Sequence, residues 1–158
     1  MIYEKIVSFR SYLLVQLTHN FALPFLQYVR KPEIFPYSIQ ELKQLAEGTL
    51  GNTLFHFLRE RNLQLLPNYT RHDVKHILLG YNTTDEGEVC LQCFMLGNKH
   101  ISFPVLATII FGLVTMPEHW RKFIEAYKRG SRVAPIANWQ WFTLMDIPVA
   151  ELRERIDG

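Results

Sequence analysis

Apolar residues recur along this chain at helical intervals. Ile2, Ile6, Phe9, Leu13 and Leu17 fall three or four apart, which predicts a helix from Met1 to about Thr18. Prolines then break the pattern. Phe21-Ala-Leu-Pro24-Phe-Leu and Lys31-Pro32-Glu-Ile-Phe-Pro36 read as an irregular, aromatic-rich connection that either lines a pocket or covers the core. Ser38-Ile-Gln-Glu41 has the form of a capping box, in which the serine hydroxyl accepts from the N3 amide and the glutamate reaches back. A short helix follows, and Gly48 stops it. The next starts near Gly51, places Leu54, Phe57 and Leu58 on one face and ends before Pro67. Tyr69 to Leu79 forms another, closed by Gly80, and Asp85 is the expected N-cap of the helix that carries Cys90, Cys93 and Phe94. Pro117 suits the first position of a helix, and Trp120, Phe123, Ile124 and Tyr127 then form an apolar stripe. Gly130 ends it. A last helix begins near Asp146-Ile-Pro148, with Leu152 and Ile156 as its apolar side. No run alternates apolar and polar residues between hairpin turns. The expectation is an all-α fold, one domain over residues 1–158, with about seven helices joined by Pro-rich loops.

One segment departs from amphipathic patterning. Ile101 to Met116 holds 16 residues without a charge, short of the roughly 18–20 that span a bilayer, and Pro104 interrupts it. It reads as a buried central helix, or as the wall of a lipid pocket or a surface that touches membrane.

Composition narrows the partners. The chain has 158 residues, 17 Lys+Arg against 15 Asp+Glu, and a formal net charge of +2. That balance, with no basic cluster interleaved with aromatics, excludes a nucleic-acid binder. With 48% hydrophobic and only 20% charged residues, intrinsic disorder is excluded too. Cys90 and Cys93 lie three apart, which suits helix neighbours better than a disulfide framework and points to a reducing, cytoplasmic compartment. A single C-x-x-C without a second pair is weak evidence for zinc, so both thiols are read as packing residues. Glu4, Lys5 and Arg10 break the N-terminal apolar run, which does not read as a secretory signal.

The candidate chemistry sits in Arg71-His72-Asp73-Val74-Lys75-His76. His72 and His76 are four apart, so on a helix their side chains lie on one face, as two imidazoles sharing a cation must. Asp73 can be a third ligand, or can orient one imidazole from behind. Glu88 follows on the next helix, and the Gly80 stop lets the chain turn so that it faces the pair. Two nitrogens and up to two carboxylates suit Zn²⁺ with an open position, or Fe²⁺ or Mn²⁺. Against this, histidines at i and i+4 also occur where nothing binds, and Asp85-x-x-Glu88 is a helix start that needs no metal. Lys75 and Arg71, beside the site, can hold an acidic group, or can be solvated helix-face charges.

The motif H-D-x-x-H, eleven residues, then E resembles the signature of the coenzyme Q (ubiquinone) biosynthesis protein 4 family. His72-Asp73-Val-Lys-His76 and Glu88 carry it, with Gly48-Thr-Leu-Gly51, Leu79-Gly80-Tyr81 and Gly87-Glu88-Val89 around it. Ala126-Tyr127, Gly130, Arg132, Trp141 and Pro148-Val-Ala-Glu-Leu-Arg153 resemble the family's closing segment. The resemblance runs from about Ser38 to the end. Ser131 stands where family members often have the first of two basic residues, which leaves Arg132 alone to contact a phosphate or acidic headgroup. A short chain without a mitochondrial transit peptide resembles a bacterial member.

The resemblance implies one divalent ion, zinc first, held by His72, Asp73, His76 and Glu88. It also implies a prenylated quinone precursor or other isoprenoid lipid in an apolar tunnel, peripheral contact with the inner membrane, a homodimer, and association with other quinone-synthesis enzymes. The implied activity is oxidative removal of the ring carboxyl at C1 from a prenylated hydroxybenzoate, a decarboxylase and hydroxylase reaction. A non-catalytic lipid-binding scaffold is the alternative. A third reading takes His72-Asp73 as part of an HD-type phosphohydrolase, with His56 and Asp85 or Asp146 drafted to complete it.

Overall fold

In the computed structural model, residues 2–17 and 35–158 are described. Among them are eight α-helices: α1 Ile2–Leu17, α2 Ile39–Gln44, α3 Leu50–Glu60, α4 Pro67–Leu79, α5 Asp85–Gly97, α6 Phe103–Thr115, α7 Trp120–Arg132 and α8 Val149–Asp157. Short 3₁₀ turns at Pro117–His119 and Trp141–Leu144 complete the order, and the described residues form no strand. The fold is all-α, as the periodicity implies. The connection expected over Phe21 to Phe35 lies outside the described residues except for Phe35, which is buried. Two compact units make up the chain, residues 1–31 with 82–132 and residues 32–81 with 133–158.

In the first unit α5 packs against α6 and α7. Val89, Leu91, Phe94 and Met95 on α5 are buried, with Val105 and Ile109 from α6 and Phe123 and Ala126 from α7. Two glycines let α5 and α7 approach: a Cβ at Gly97 would strike the Tyr127 carbonyl, and one at Gly130 would strike the Phe94 carbonyl. Asn98, also buried, donates through Nδ2 to the Gly130 carbonyl at 3.1 Å. Arg10 joins α1 to the end of α6, donating to the Thr115 carbonyl at 2.9 Å and to Glu118 at 2.5 Å.

This arrangement corrects two expectations. The uncharged segment is not a buried central helix. Val105, Ile109, Phe111 and Gly112 are buried, while Phe103, Leu106, Ile110, Leu113 and Val114 are exposed, Val114 to 75%. Within its unit, α6 lays one side on α5, where Gly112 meets Val89. The α7 stripe is likewise turned. Phe123 is buried but Trp120, Ile124 and Tyr127 are exposed, because the close glycine contact sets Phe123, Ala126 and Gly130 as the inward line. No single helix among the described residues is long and apolar enough to cross a membrane.

In the second unit the capping box forms as expected: the Ser38 hydroxyl accepts from the Glu41 amide at 3.3 Å and Glu41 accepts from the Ser38 amide at 2.7 Å. Leu42, Leu50, Leu54, Leu58, Val74, Leu78, Trp141, Met145 and Leu152 form the core. The start of α3 is tied to the C-terminal segment, Leu50 N–H donating to the Ile147 carbonyl and Gly51 N–H to the Met145 carbonyl, both at 2.9 Å.

Candidate metal centre

Pro67 opens α4, where a missing N–H costs nothing. The helix buries Val74, Ile77 and Leu78. His72 and His76 share a face, their ring centroids 4.6 Å apart at 70°. His76 is only 2% exposed. Its Nδ1 stands 3.0 Å from the Tyr81 carbonyl. A carbonyl only accepts, so in the neutral ring the proton sits on Nδ1 and the lone pair on Nε2. That is the arrangement in which metal-binding histidines are held by a partner behind them.

Gly80 makes this possible. It ends α4 in the left-handed conformation at φ 74°, where other residues are strained, and its N–H closes on the His76 carbonyl at 3.0 Å. The reversal carries the Tyr81 carbonyl back to the imidazole.

Glu88 lies in the first turn of α5. Thr84, rather than the expected Asp85, is the N-cap: its hydroxyl accepts from the Gly87 amide at 3.2 Å. Asp85 instead accepts from the Ser11 hydroxyl at 2.6 Å. Asn82 folds so closely over this turn that a Cβ at Gly87 would overlap it.

His72, His76 and Glu88 each offer one ligand atom, and these atoms lie within 4.8 Å of one another. Two imidazole nitrogens and one carboxylate oxygen fit a divalent cation that keeps an open position. Asp73 is not in this group; its Oδ1 lies 3.8 Å from His72 Nδ1, too long for a hydrogen bond. His56, Asp85 and Asp146 are not in it either. His56 instead packs edge-on against Phe55 at 5.2 Å.

The sequence pattern does not single out Tyr69. It stands one turn before Asp73, and that spacing is the signal that could have found it. Burial and the Asp73 carboxylate push its phenol up to about 12, so it stays protonated.

Arg71 and Lys75 flank the histidines, and both lie over aromatic rings. The Arg71 guanidinium is 5.9 Å from the Phe142 ring and the Lys75 ammonium 5.8 Å from that of Trp141. Arg71 also lines an open cleft of about 420 Å³ with Trp139, Gln140, Phe142 and Thr143. Arg132 is an exposed residue in the last turn of α7. Cys90 and Cys93 are free and buried, as expected.

The chain is thus a helical protein with a His/Glu group that could hold a metal ion. Residues 65–157 match the family described as coenzyme Q (ubiquinone) biosynthesis protein Coq4. That is more than half of the chain, and the protein belongs to this family, which ties it to ubiquinone biosynthesis. Among solved structures, the fold is similar to that of a Nostoc punctiforme protein assigned provisionally to ubiquinone biosynthesis. Identity to it is 24%, the TM-score is 0.65, and the likeness covers 94% of this chain and 80% of that one. No curated protein sequence matches the chain significantly.

Proposed function

We propose that this protein holds one divalent ion, zinc first and Fe²⁺ or Mn²⁺ as alternatives, through His72, His76 and Glu88, and acts on the ring of a prenylated quinone precursor. The observation that carries the reading is the clustering of those three ligand atoms on residues of the H-D-x-x-H…E pattern. A bound cation with an open position would polarise a carboxylate or phenolate oxygen of the ring. His76 brings to it a buried Nε2 whose lone pair the Tyr81 carbonyl fixes from behind. Asp73, beside His72 but outside the cluster, contributes its negative charge to the site. Arg71 and Lys75 hold the acidic ring substituent, and Arg132 a headgroup.

The reaction we propose is the C1 step. The bond from the ring to the carboxyl carbon breaks and carbon dioxide leaves, water supplies the oxygen of the new ring hydroxyl, and dioxygen takes up the two electrons and two protons as hydrogen peroxide. The exposed apolar residues of α6, Phe103, Leu106, Ile110, Leu113 and Val114, support contact with an isoprenoid tail or a membrane surface. Homodimer formation and association with other quinone-synthesis enzymes belong to the same proposal.

The test is incubation of the purified protein with a prenylated 4-hydroxybenzoate under air. Carbon dioxide release that is lost in His72→Ala and Glu88→Gln supports catalysis. Tight binding of the precursor without release points to a lipid-binding scaffold. Hydrolysis of p-nitrophenyl phosphate would revive the phosphohydrolase reading.

A further inference from the structure

Arg153, on α8, reaches the last turn of α4. Its Nη2 donates to the Ile77 carbonyl at 2.7 Å and its Nε to the Leu78 carbonyl at 3.3 Å. Both carbonyls belong to the end of the helix, where no intrahelical partner is left for them. A cation there also meets the negative end of the helix dipole. A guanidinium fork spans two successive carbonyls, which an ammonium cannot do in the same geometry. Just beyond these carbonyls, Gly80 reverses the chain and Tyr81 presents its carbonyl to His76 Nδ1.

We infer that Arg153 is a positioning residue for His76. By fixing the Ile77 and Leu78 carbonyls it holds the turn from Leu79 to Tyr81 in the path that brings the Tyr81 carbonyl to Nδ1, and so keeps the lone pair on Nε2. Arg153 touches neither cation nor ring; it acts through the turn. Its consequence for metal rests on the proposed cation site, whereas its effect on the imidazole exists without metal. Arg153 is itself largely solvent-facing, so its loss acts on the turn more than on global stability.

The experiment uses metal-free, histidine-¹⁵N-labelled protein at about pH 8, above the usual imidazole range. Ring ¹⁵N shifts distinguish the Nδ1–H from the Nε2–H tautomer. Wild type is expected to hold His76 as Nδ1–H. Arg153→Gln moves it toward the mixed population of a free imidazole, and Arg153→Lys, which keeps the charge but not the fork, recovers it only in part. Zinc affinity, measured by chelator competition, falls roughly 10–100-fold in Arg153→Gln, the range for removing a second-layer partner. Its Tm stays within about 4 °C of wild type.

An unchanged His76 tautomer in Arg153→Gln overturns the inference. If that variant does not fold, Arg153→Lys carries the same test. A tautomer that shifts in Arg153→Gln, together with wild-type protein that takes up no zinc, would sink the cation reading alone. Zinc uptake with an unmoved tautomer would sink the role of Arg153 alone.

Discussion

Gly130→Ala probes the packing of the helix that carries Glu88. A Cβ at this position would overlap the Phe94 carbonyl oxygen, and would lie 2.9 Å from its carbon and 3.1 Å from its Cα. These are backbone atoms of α5 and cannot rotate aside, so α7 must move outward. Overpacking costs typically about 1–3 kcal/mol, and a backbone obstacle places this case near 3. Alanine returns about 1 kcal/mol in helix propensity, leaving a loss of about 2 kcal/mol. In a chain of this size 1 kcal/mol shifts Tm by roughly 2–4 °C, so the variant should melt roughly 4–8 °C lower. Thermal and urea unfolding measure it, with Ser131→Ala, an exposed neighbour, as the control near wild type. A Gly130→Ala protein as stable as wild type would refute the claim that this glycine sets the α5–α7 distance.

Three further outcomes are expected. Burial pushes the Cys90 thiol up to about 11 and the Cys93 thiol up to about 12, so near pH 8 an aromatic disulfide reagent should leave the native protein untouched and titrate both thiols in guanidinium; rapid native reaction would contradict the burial. Thr84→Ala removes the hydroxyl that caps α5 and should lower unfolding free energy by about 1 kcal/mol, with Thr84→Ser close to wild type; an unshifted urea midpoint would deny the cap. The hydrogen bond from Arg10 holds the Glu118 carboxyl below its ordinary value, so the pair contributes above the usual glutamate range and is lost as pH falls through the depressed value. The Tm gap between wild type and Glu118→Gln should therefore be present at neutral pH and close in acid; a gap that holds unchanged at about pH 3 would contradict the pair's contribution.

What could be read before folding was local. The Ser38–Glu41 box, the Gly80 stop and the shared face of His72 and His76 each depend on spacings of three or four residues, and each stands where the spacing puts it. Helix faces were harder. Apolar periodicity marks Trp120, Ile124 and Tyr127 as a stripe, yet they are exposed, because Gly97 and Gly130 decide which line of α7 turns inward. The same holds for Ile110 and Val114 on α6, whose composition gives no clue to which side is exposed. The supports of His76 were hidden for another reason. The Tyr81 carbonyl is backbone and carries no side-chain signal, and Arg153 meets its acceptors across 75 and 76 residues of sequence. Thr84 and Asp85 are adjacent N-cap formers, and only the bond from Gly87 separates them.

X-ray absorption at the zinc edge decides whether His72, His76 and Glu88 share an ion. One ion per chain is expected, with a shell of nitrogen and oxygen neighbours at about 2.0–2.2 Å, diminished in occupancy by His76→Ala and by Glu88→Gln. Sulfur neighbours at about 2.3 Å, which only Cys90 and Cys93 or a methionine could supply, or wild-type protein that takes up no divalent ion at all, would contradict it.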